Sequence, residues 1–296
     1  MKKVILWVLG IILASVIGFG GYSYYKLSNT TSKIYSGTQH TSKISDTKTK
    51  KGQSIAYLLL GTDTGALGRT EKGRTDTMIV MVLNPDTNTT TMVSLQRDTK
   101  IQIDGQTEKL NAAYQYGDAQ SSVDQVEKLL NIKLDGYLLV NMNGLEQLVN
   151  AVGGVDVTAP LTFNYEGYAF TQGQNYHMDG QKALAFSRMR YDDPNGDYGR
   201  QMRQQLVISA VINKLKNNPT NVLSDNFLQA VSQNVRTNIS LNSVRNLATK
   251  YKGSADNIER DQMKGEGVMI GSVSYQIMPE SEISRVHTII EQARNN

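Results

Sequence analysis

The first hydrophobic feature of the chain is continuous rather than periodic. Val4 to Tyr22, VILWVLGIILASVIGFGGY, contains no charged residue. Coiled as a helix, this run rises about 28 Å, close to the hydrocarbon thickness of a bilayer. Trp7 lies inside it, and Tyr22, Tyr24 and Tyr25 follow as an interfacial belt. It is longer than the apolar region of a cleaved leader and lacks a clear small-x-small site. The reading is one N-terminal transmembrane helix at 4–25 behind a short cytoplasmic tail at 1–3. Residues 26–52 are rich in Ser, Thr and Lys and poor in apolar positions, so they read as a solvated linker. A domain at 53–296 follows.

From Ser54 the apolar positions break into short runs. SIAYLLLG reads as a buried strand, TMIVMVL (Thr77–Leu83) as a second and TTMVSL (Thr90–Leu95) as a third, with the turn NPDTNT making a hairpin of the last two. SSVDQVEKLLN predicts a helix capped by Ser121, GYLLVN a strand, and NGLEQLVNAVGG a helix ended by glycine. GVDVTAPLTFN is extended. DGQKALAFSRMR predicts a helix with Asp179 at its cap. Gly199–Asn217 predicts a long helix with Leu206, Ile208, Val211, Ile212 and Leu215 on its apolar side. Helices at 225–234, 243–252 and 281–294 and a strand at 267–277 complete the pattern. Strands and helices mix without strict alternation. That predicts an α/β fold of three layers, α-β-α, around a mixed central sheet.

Charge changes the picture in one respect. The sequence pI of about 9.0 suggests nucleic acid or membrane as partner. Residues 1–52, however, carry eight lysines against one aspartate, and by difference from the overall +4 the domain carries −3. A domain of that sign argues against direct DNA contact. The chain has no cysteine, which suits an extracellular protein of an organism that does not rely on disulfides.

The segment Ala185–Gln205, AFSRMRYDDPNGDYGRQMRQQ, concentrates Arg188, Arg190, Arg200 and Arg203 among three aspartates. Arg200 and Arg203 fall in the first turns of their helix, where the dipole disfavours cations, so an anion docked there is the better explanation. Elsewhere, strand one ends just before Asp63, strand two starts at Asp76, and strand three delivers Arg97 and Asp98. If strands one and two are antiparallel, these four gather at one sheet edge, where α/β folds commonly bind ligands. Singly, each has a structural explanation: a turn or cap for Asp63, a surface pair for Arg97 and Asp98, a salt-bridged helix face for Arg200 and Arg203. Together, guanidiniums that match phosphate oxygens and two carboxylates suited to Mg²⁺ (Mn²⁺ as the alternative) describe a metal–pyrophosphate site. There is no P-loop, no Gly-x-Ser-x-Gly and no metal-binding His pair. His40, His177 and His287 are scattered and read as structural. Direct in-line attack on phosphorus fits better than a covalent enzyme intermediate.

These blocks carry a resemblance. LLLGTD, GRTDTMIVMVLNP, SLQRDT, KLNAAYQYG, VNMNGLEQLVNAVGGVDV and ALAFSRMRYDD…GDYGRQMRQQ, spanning about Ile55 to Lys216, resemble in order the LytR–CpsA–Psr (LCP) family. The resemblance implies a Gram-positive cell-membrane protein with a single span and an extracellular catalytic domain. It implies a phosphotransferase that moves a phosphoglycan (wall teichoic acid, capsule or another secondary wall polymer) from a polyprenyl-pyrophosphate carrier to the C6 hydroxyl of peptidoglycan N-acetylmuramic acid. It implies Asp63 and Asp76 as Mg²⁺ ligands. Arg74, Arg97, Arg188, Arg190, Arg200 and Arg203 become a phosphate clamp led by Arg97 and Arg200, with Gln204 completing the polar shell. Asp98 and Asp197 orient the arginines or assist the acceptor hydroxyl, and an apolar tunnel between sheet and helices takes the prenyl chain. Two departures stand out: Gly65 where many members have arginine, with Arg69 later in a longer loop, and Gln96 where proline is frequent. Three other readings stay open: a membrane-anchored transcriptional attenuator, a wall-polymer binding module, and a lipid pyrophosphatase.

Overall fold

A computed structural model describes residues 29, 33, 35, 39–63, 72–218, 220–221 and 224–295. The expected tail and transmembrane helix lie outside the described residues, and among those described no helix is long and apolar enough to cross a membrane. In chain order the first elements are α1 (Gln39–Lys51), β1 (Ile55–Thr62), β2 (Thr75–Asn84), β3 (Thr89–Ser94), β4 (Lys100–Ile103) and β5 (Gln106–Lys109). Next come α2 (Ala113–Leu130), β6 (Gly136–Asn141), α3 (Met142–Ala151), β7 (Val155–Thr158), β8 (Phe163–Tyr165), β9 (Tyr168–Phe170) and β10 (Asn175–Met178). The remainder is α4 (Gly180–Arg188), α5 (Asp197–Asn217), α6 (Asp225–Asn234), β11 (Val235–Thr237), α7 (Leu241–Lys250), β12 (Asn257–Gln262), β13 (Glu266–Ile270), β14 (Val273–Ile277) and α8 (Glu280–Asn295).

The three apolar runs form the centre of a six-stranded sheet of order β11-β6-β1-β2-β3-β12. β1, β2 and β3 are antiparallel in turn, whereas β6 runs parallel to β1 and β12 parallel to β3. The sheet is therefore mixed, as expected. Asn84 makes the β2–β3 turn by accepting the backbone N–H groups of Asp86 and Thr87 at 3.0 and 3.3 Å. Side-chain alternation splits the sheet's two faces. Ala56, Leu58, Leu60, Val80 and Val82 pack on one face with Val123, Val126 and Leu130 of α2 and Val286 and Ile290 of α8. Ile55 and Tyr57 point to the other face, into a smaller cluster with Ile239 and Tyr251 beside α7. Helix, sheet and helix give the three layers. A second core, built from Val149, Val155, Phe163, Phe170, Phe186 and Val207, joins α3, α4 and α5 to the short strands β7–β10.

The structure corrects four element readings. The helix expected at Ser121 starts at Ala113 and kinks at Gly117 and Asp118, and Asp118 rather than Ser121 accepts the next turn's N–H, from Gln120 at 2.8 Å. The strand expected at 267–277 is a hairpin, β13–β14, reversed at Gly271. On α5, Val207 and Ala210 are the buried apolar positions, while Ile208 and Ile212 are only half-buried. Finally, the expected linker is not wholly solvated, because its C-terminal part is α1. Ser45 and Thr49 of α1 are fully buried. Ser45 Oγ lies 2.9 Å from the Tyr57 hydroxyl, Lys48 pairs with Asp135 at 2.6 Å, and Asp46 accepts from the hydroxyls of Ser240 and Ser243. This helix docks through hydroxyls and charges, which a search for apolar periodicity does not register.

Candidate active site

The site assembles where β1 ends and β2 begins. Gly61 pairs with Thr77 and Thr62 with Thr75, leaving Asp76 as the extra residue of a β-bulge. Bulges re-aim a side chain at the cost of a ladder position. Asp63 follows β1 directly, and its Oδ1 accepts the Arg74 N–H at 3.1 Å. Beyond β3, Leu95 still bonds Met78 at 2.8 Å, and a turn closed by Thr99 on Gln96 O (Oγ1 at 2.6 Å) then holds Arg97 and Asp98 at the same end.

Arg97 is the hub. Its guanidinium lies 2.8 Å from Asp76, 3.6 Å from Asp197 and 3.8 Å from Asp98. Burial opposes its charge, but Asp76 and Asp197 outweigh that and hold it above the ordinary arginine value. Asp197, in the first turn of α5, receives Arg200 at 2.8 Å and Gln201 at 3.2 Å, and Arg190 lies 3.7 Å away. Arg200 also donates to Asp76 O at 3.0 Å. Its charge is in the opposite situation: burial pulls its affinity for the proton below the ordinary value, Asp197 offsets part of that, and Arg97 adds repulsion. Asp197 is the carboxylate the two guanidiniums share.

Three carry-overs move. Arg203 is fully buried and is not available to a phosphate: it donates to the carbonyls of Phe186 and Met189, pairs with Asp193, and lies 5.1 Å from the Phe163 ring centre. It staples α4 to α5. Arg188 is turned to Glu166 at 3.0 Å, and the Arg74 side chain is exposed. Nor does the start of α5 wait for an external anion, since Asp197 and Asp193 already supply one carboxylate each to Arg200 and Arg203. Gln204 is buried one turn beyond Arg200, and its Oε1 has no hydrogen-bond partner among the described residues. Gly199 lets the Asp193 carboxylate lie against α5, where a methyl group would overlap it. Gly199→Ala is therefore expected to cost about 1–3 kcal/mol, measured as a lower urea midpoint.

Behind this cluster lies apolar surface. α5 sits on the sheet face opposite α2 and α8, since Gln205 donates to Ser94 Oγ at 2.9 Å and Gln201 to Leu95 O at 3.4 Å. Ser94 is the register partner of Ile79, whose neighbours on that face are Leu59 and Met81. Leu59, Met81 and Leu138 belong to inner strands yet are only half-buried. Arg200, Gln204, Ile208, Val211 and Leu215 form one stripe of α5 by helical spacing. The polar end of that stripe lies in the cluster and its apolar end runs away from it.

The LytR_cpsA_psr family model matches residues 21–292. This chain belongs to the LytR–CpsA–Psr family. Among its LCP relatives, the polyisoprenyl-teichoic acid–peptidoglycan teichoic acid transferase TagU of Enterococcus faecalis is 42% identical over 299 residues, covering 99% of this chain and 98% of that protein. Protein gbs0355 of Streptococcus agalactiae has a crystal structure that superposes with a TM-score of 0.75 at 37% identity, over 84% of this chain and 90% of that one. B. subtilis TagU superposes with a TM-score of 0.65 at 33% identity, over 82% and 98%.

The cluster contains residues that motif reasoning passed over. Lys109 holds Asp98 at 2.8 Å, Asn111 donates to Arg97's partner Asp76 at 3.5 Å, and Gln201 donates to Asp197. Lys109 and Asn111 sit inside the block KLNAAYQYG, so the signal was present as a block and not as a role. Asp193 was visible only as one of several acids in a turn.

Proposed function

We propose that this LCP protein transfers a phosphoglycan of the wall teichoic acid type from a polyprenyl-pyrophosphate carrier to the C6 hydroxyl of N-acetylmuramic acid in peptidoglycan. The observation that carries the proposal is the joining of Arg97 and Arg200 to a half-buried apolar strip on one sheet face. A lipid diphosphate needs both: guanidiniums for the phosphates and apolar surface for the prenyl chain. The name borne by the E. faecalis relative agrees with that chemistry.

In this reading Arg97 and Arg200 grip the diphosphate from the side facing α5, with Arg190 at the rim. Asp197, committed to Arg97, Arg190, Arg200 and Gln201, keeps the forks aimed, and Lys109 does the same for Asp98. Gln204 Oε1 meets a ligand hydroxyl. The acceptor hydroxyl attacks the phosphorus that bears the glycan and gives up its proton to the leaving phosphate or to solvent, the P–O–P bridge breaks, and polyprenyl phosphate departs. Fixed cations stabilise charge spreading over the phosphoryl oxygens.

Asp63 and Asp76 fit Mg²⁺. They are hard oxygen donors at adjacent strand ends. Among the described residues no group of three or more His, Cys, Asp or Glu could hold a metal ion, so the fit rests on the two carboxylates and on phosphate oxygens brought by the substrate. When bound, the ion would neutralise phosphate charge. The purified full chain, given Mg²⁺, lipid-linked glycan and uncrosslinked peptidoglycan, should yield a covalent glycan–peptidoglycan product. EDTA should lower the initial rate at least about a hundredfold, and added Mg²⁺ should restore it. An unchanged rate under chelation would remove the metal from the proposal.

A further inference from the structure

We propose that the β13–β14 hairpin dips into the membrane surface beside the site and sets the height at which the lipid carrier is met; this rests on the carrier being membrane-borne. All five residues of β13 are exposed. Val268, Ile270 and Val273 are 40–41% exposed and Met269 is 62% exposed. From Gly267 to Met278 no residue is charged. The register places Val268, Ile270 and Val273 on one face of the ribbon and Met269 on the other. Apolar groups on both faces suit immersion at a lipid boundary better than docking to a protein, which would cover one face. Exposed apolar patches of this kind mark interaction surfaces.

The base of the hairpin is tied to the site. Gln276 N donates to Asp98 O at 2.9 Å, and Lys109, which holds Asp98, lies 5.9 Å from the Tyr275 ring centre. On the other strand, Gly265 bonds the hydroxyl of Tyr198, next to Asp197, at 2.9 Å. Tyr35 bridges to Thr237 at the β11 edge of the sheet. If residues 4–25 span the bilayer, the nine residues 26–34 allow at most about 32 Å between membrane and sheet. The acidic balance of the domain gives no general attraction to an anionic leaflet, so a local apolar contact would supply the orientation. Unpaired ribbon edges limit entry to the headgroup–acyl boundary.

The chain has no cysteine, so a single Met269→Cys in the full chain, reconstituted in phosphatidylglycerol/phosphatidylcholine vesicles, takes one environment-sensitive dye. The expected result is a blue-shifted emission that is quenched by lipids with shallow nitroxides and protected from aqueous iodide, also at high salt. A dye on Lys252→Cys, at the opposite end of the sheet, should show the reverse. An iodide-accessible Met269→Cys dye that lipid quenchers do not touch overturns the proposal. So does a blue shift that persists without lipid contact and fades on dilution, which would mean pairing of two copies. As a functional readout, Val268→Ser/Met269→Ser/Ile270→Ser should slow transfer from vesicle-embedded donor about tenfold and leave transfer from a short-chain, water-soluble donor unchanged. Equal slowing with both donors also overturns it. If the parent chain consumes neither donor, the transferase reading fails, while the dye measurement still decides the hairpin.

Discussion

Arg97→Ala should lower the transfer rate by about three orders of magnitude or more, with little loss of stability. The kinetic part follows from position. Arg97 touches Asp76 directly and lies within 4 Å of Asp98 and Asp197. Each charge-assisted bond it makes to a phosphate is worth about 1.5–3 kcal/mol, and a bidentate fork makes two. Alanine also leaves three carboxylates facing the phosphates with their shared cation gone. The stability part follows from exposure: the Arg97 side chain is 17% and Asp76 27% accessible, so solvent can take over part of the lost pairing. Arg97→Lys keeps the charge and loses the fork, and should recover no more than about tenfold. Initial rates of product formation with lipid-linked donor, beside urea unfolding of the same samples, check both halves. Near-normal transfer by Arg97→Ala would exclude it from the phosphate grip.

Arg203→Ala should do the converse and strongly destabilise the fold. Its side chain has no solvent exposure and that of Asp193 only 3%. Removing one partner of a buried pair typically costs about 3–5 kcal/mol, because the other charge stays behind uncompensated. The carbonyls of Phe186 and Met189 lose their donor as well. A loss of that size is a large part of a domain's total stability, so a sharply lower urea midpoint is expected. Asp193→Ala on its own should be nearly as damaging. The double variant Arg203→Ala/Asp193→Ala should be less damaging than the sum of the two, since neither charge is then stranded. Additive losses would show that the pair does not act as a unit. An unchanged midpoint for Arg203→Ala would refute its structural role.

Arg97, Arg200 and Arg203 share a chemical type, and two of them share a helix. In the sequence they are equivalent members of a cationic group. What separates Arg200 from Arg203 is a rotation of about 300° around α5, three residues at 100° each. That rotation turns one toward Asp76 and the other into the second core. Its direction depends on where α4 and the β7–β10 strands pack, and those contacts lie in other elements. The bulge at Asp76 is similar: pairing between β1 and β2 creates it, and no property of Asp76 alone announces it.

The central strands were readable because their burial is nearly continuous. SIAYLLLG and TMIVMVL have few alternatives once a core must form. The strand ends then brought Asp63, Asp76, Arg97 and Asp98 to one edge by topology alone, since an antiparallel meander returns every second connection to the same end. Hydrophobic pattern and connectivity are local or nearly local properties, so the sequence by itself determined the four inner strands of the sheet, its mixed character and the meeting of those four residues, whereas the edge strands β11 and β12 came only with the structure. The docking of α1 through hydroxyls, the burial of Arg203 on Asp193 and the outward projection of the β13–β14 hairpin belong to tertiary structure. Each depends on a polar group finding a partner outside its own element, or on an apolar group failing to find one, and neither outcome leaves a period in the sequence.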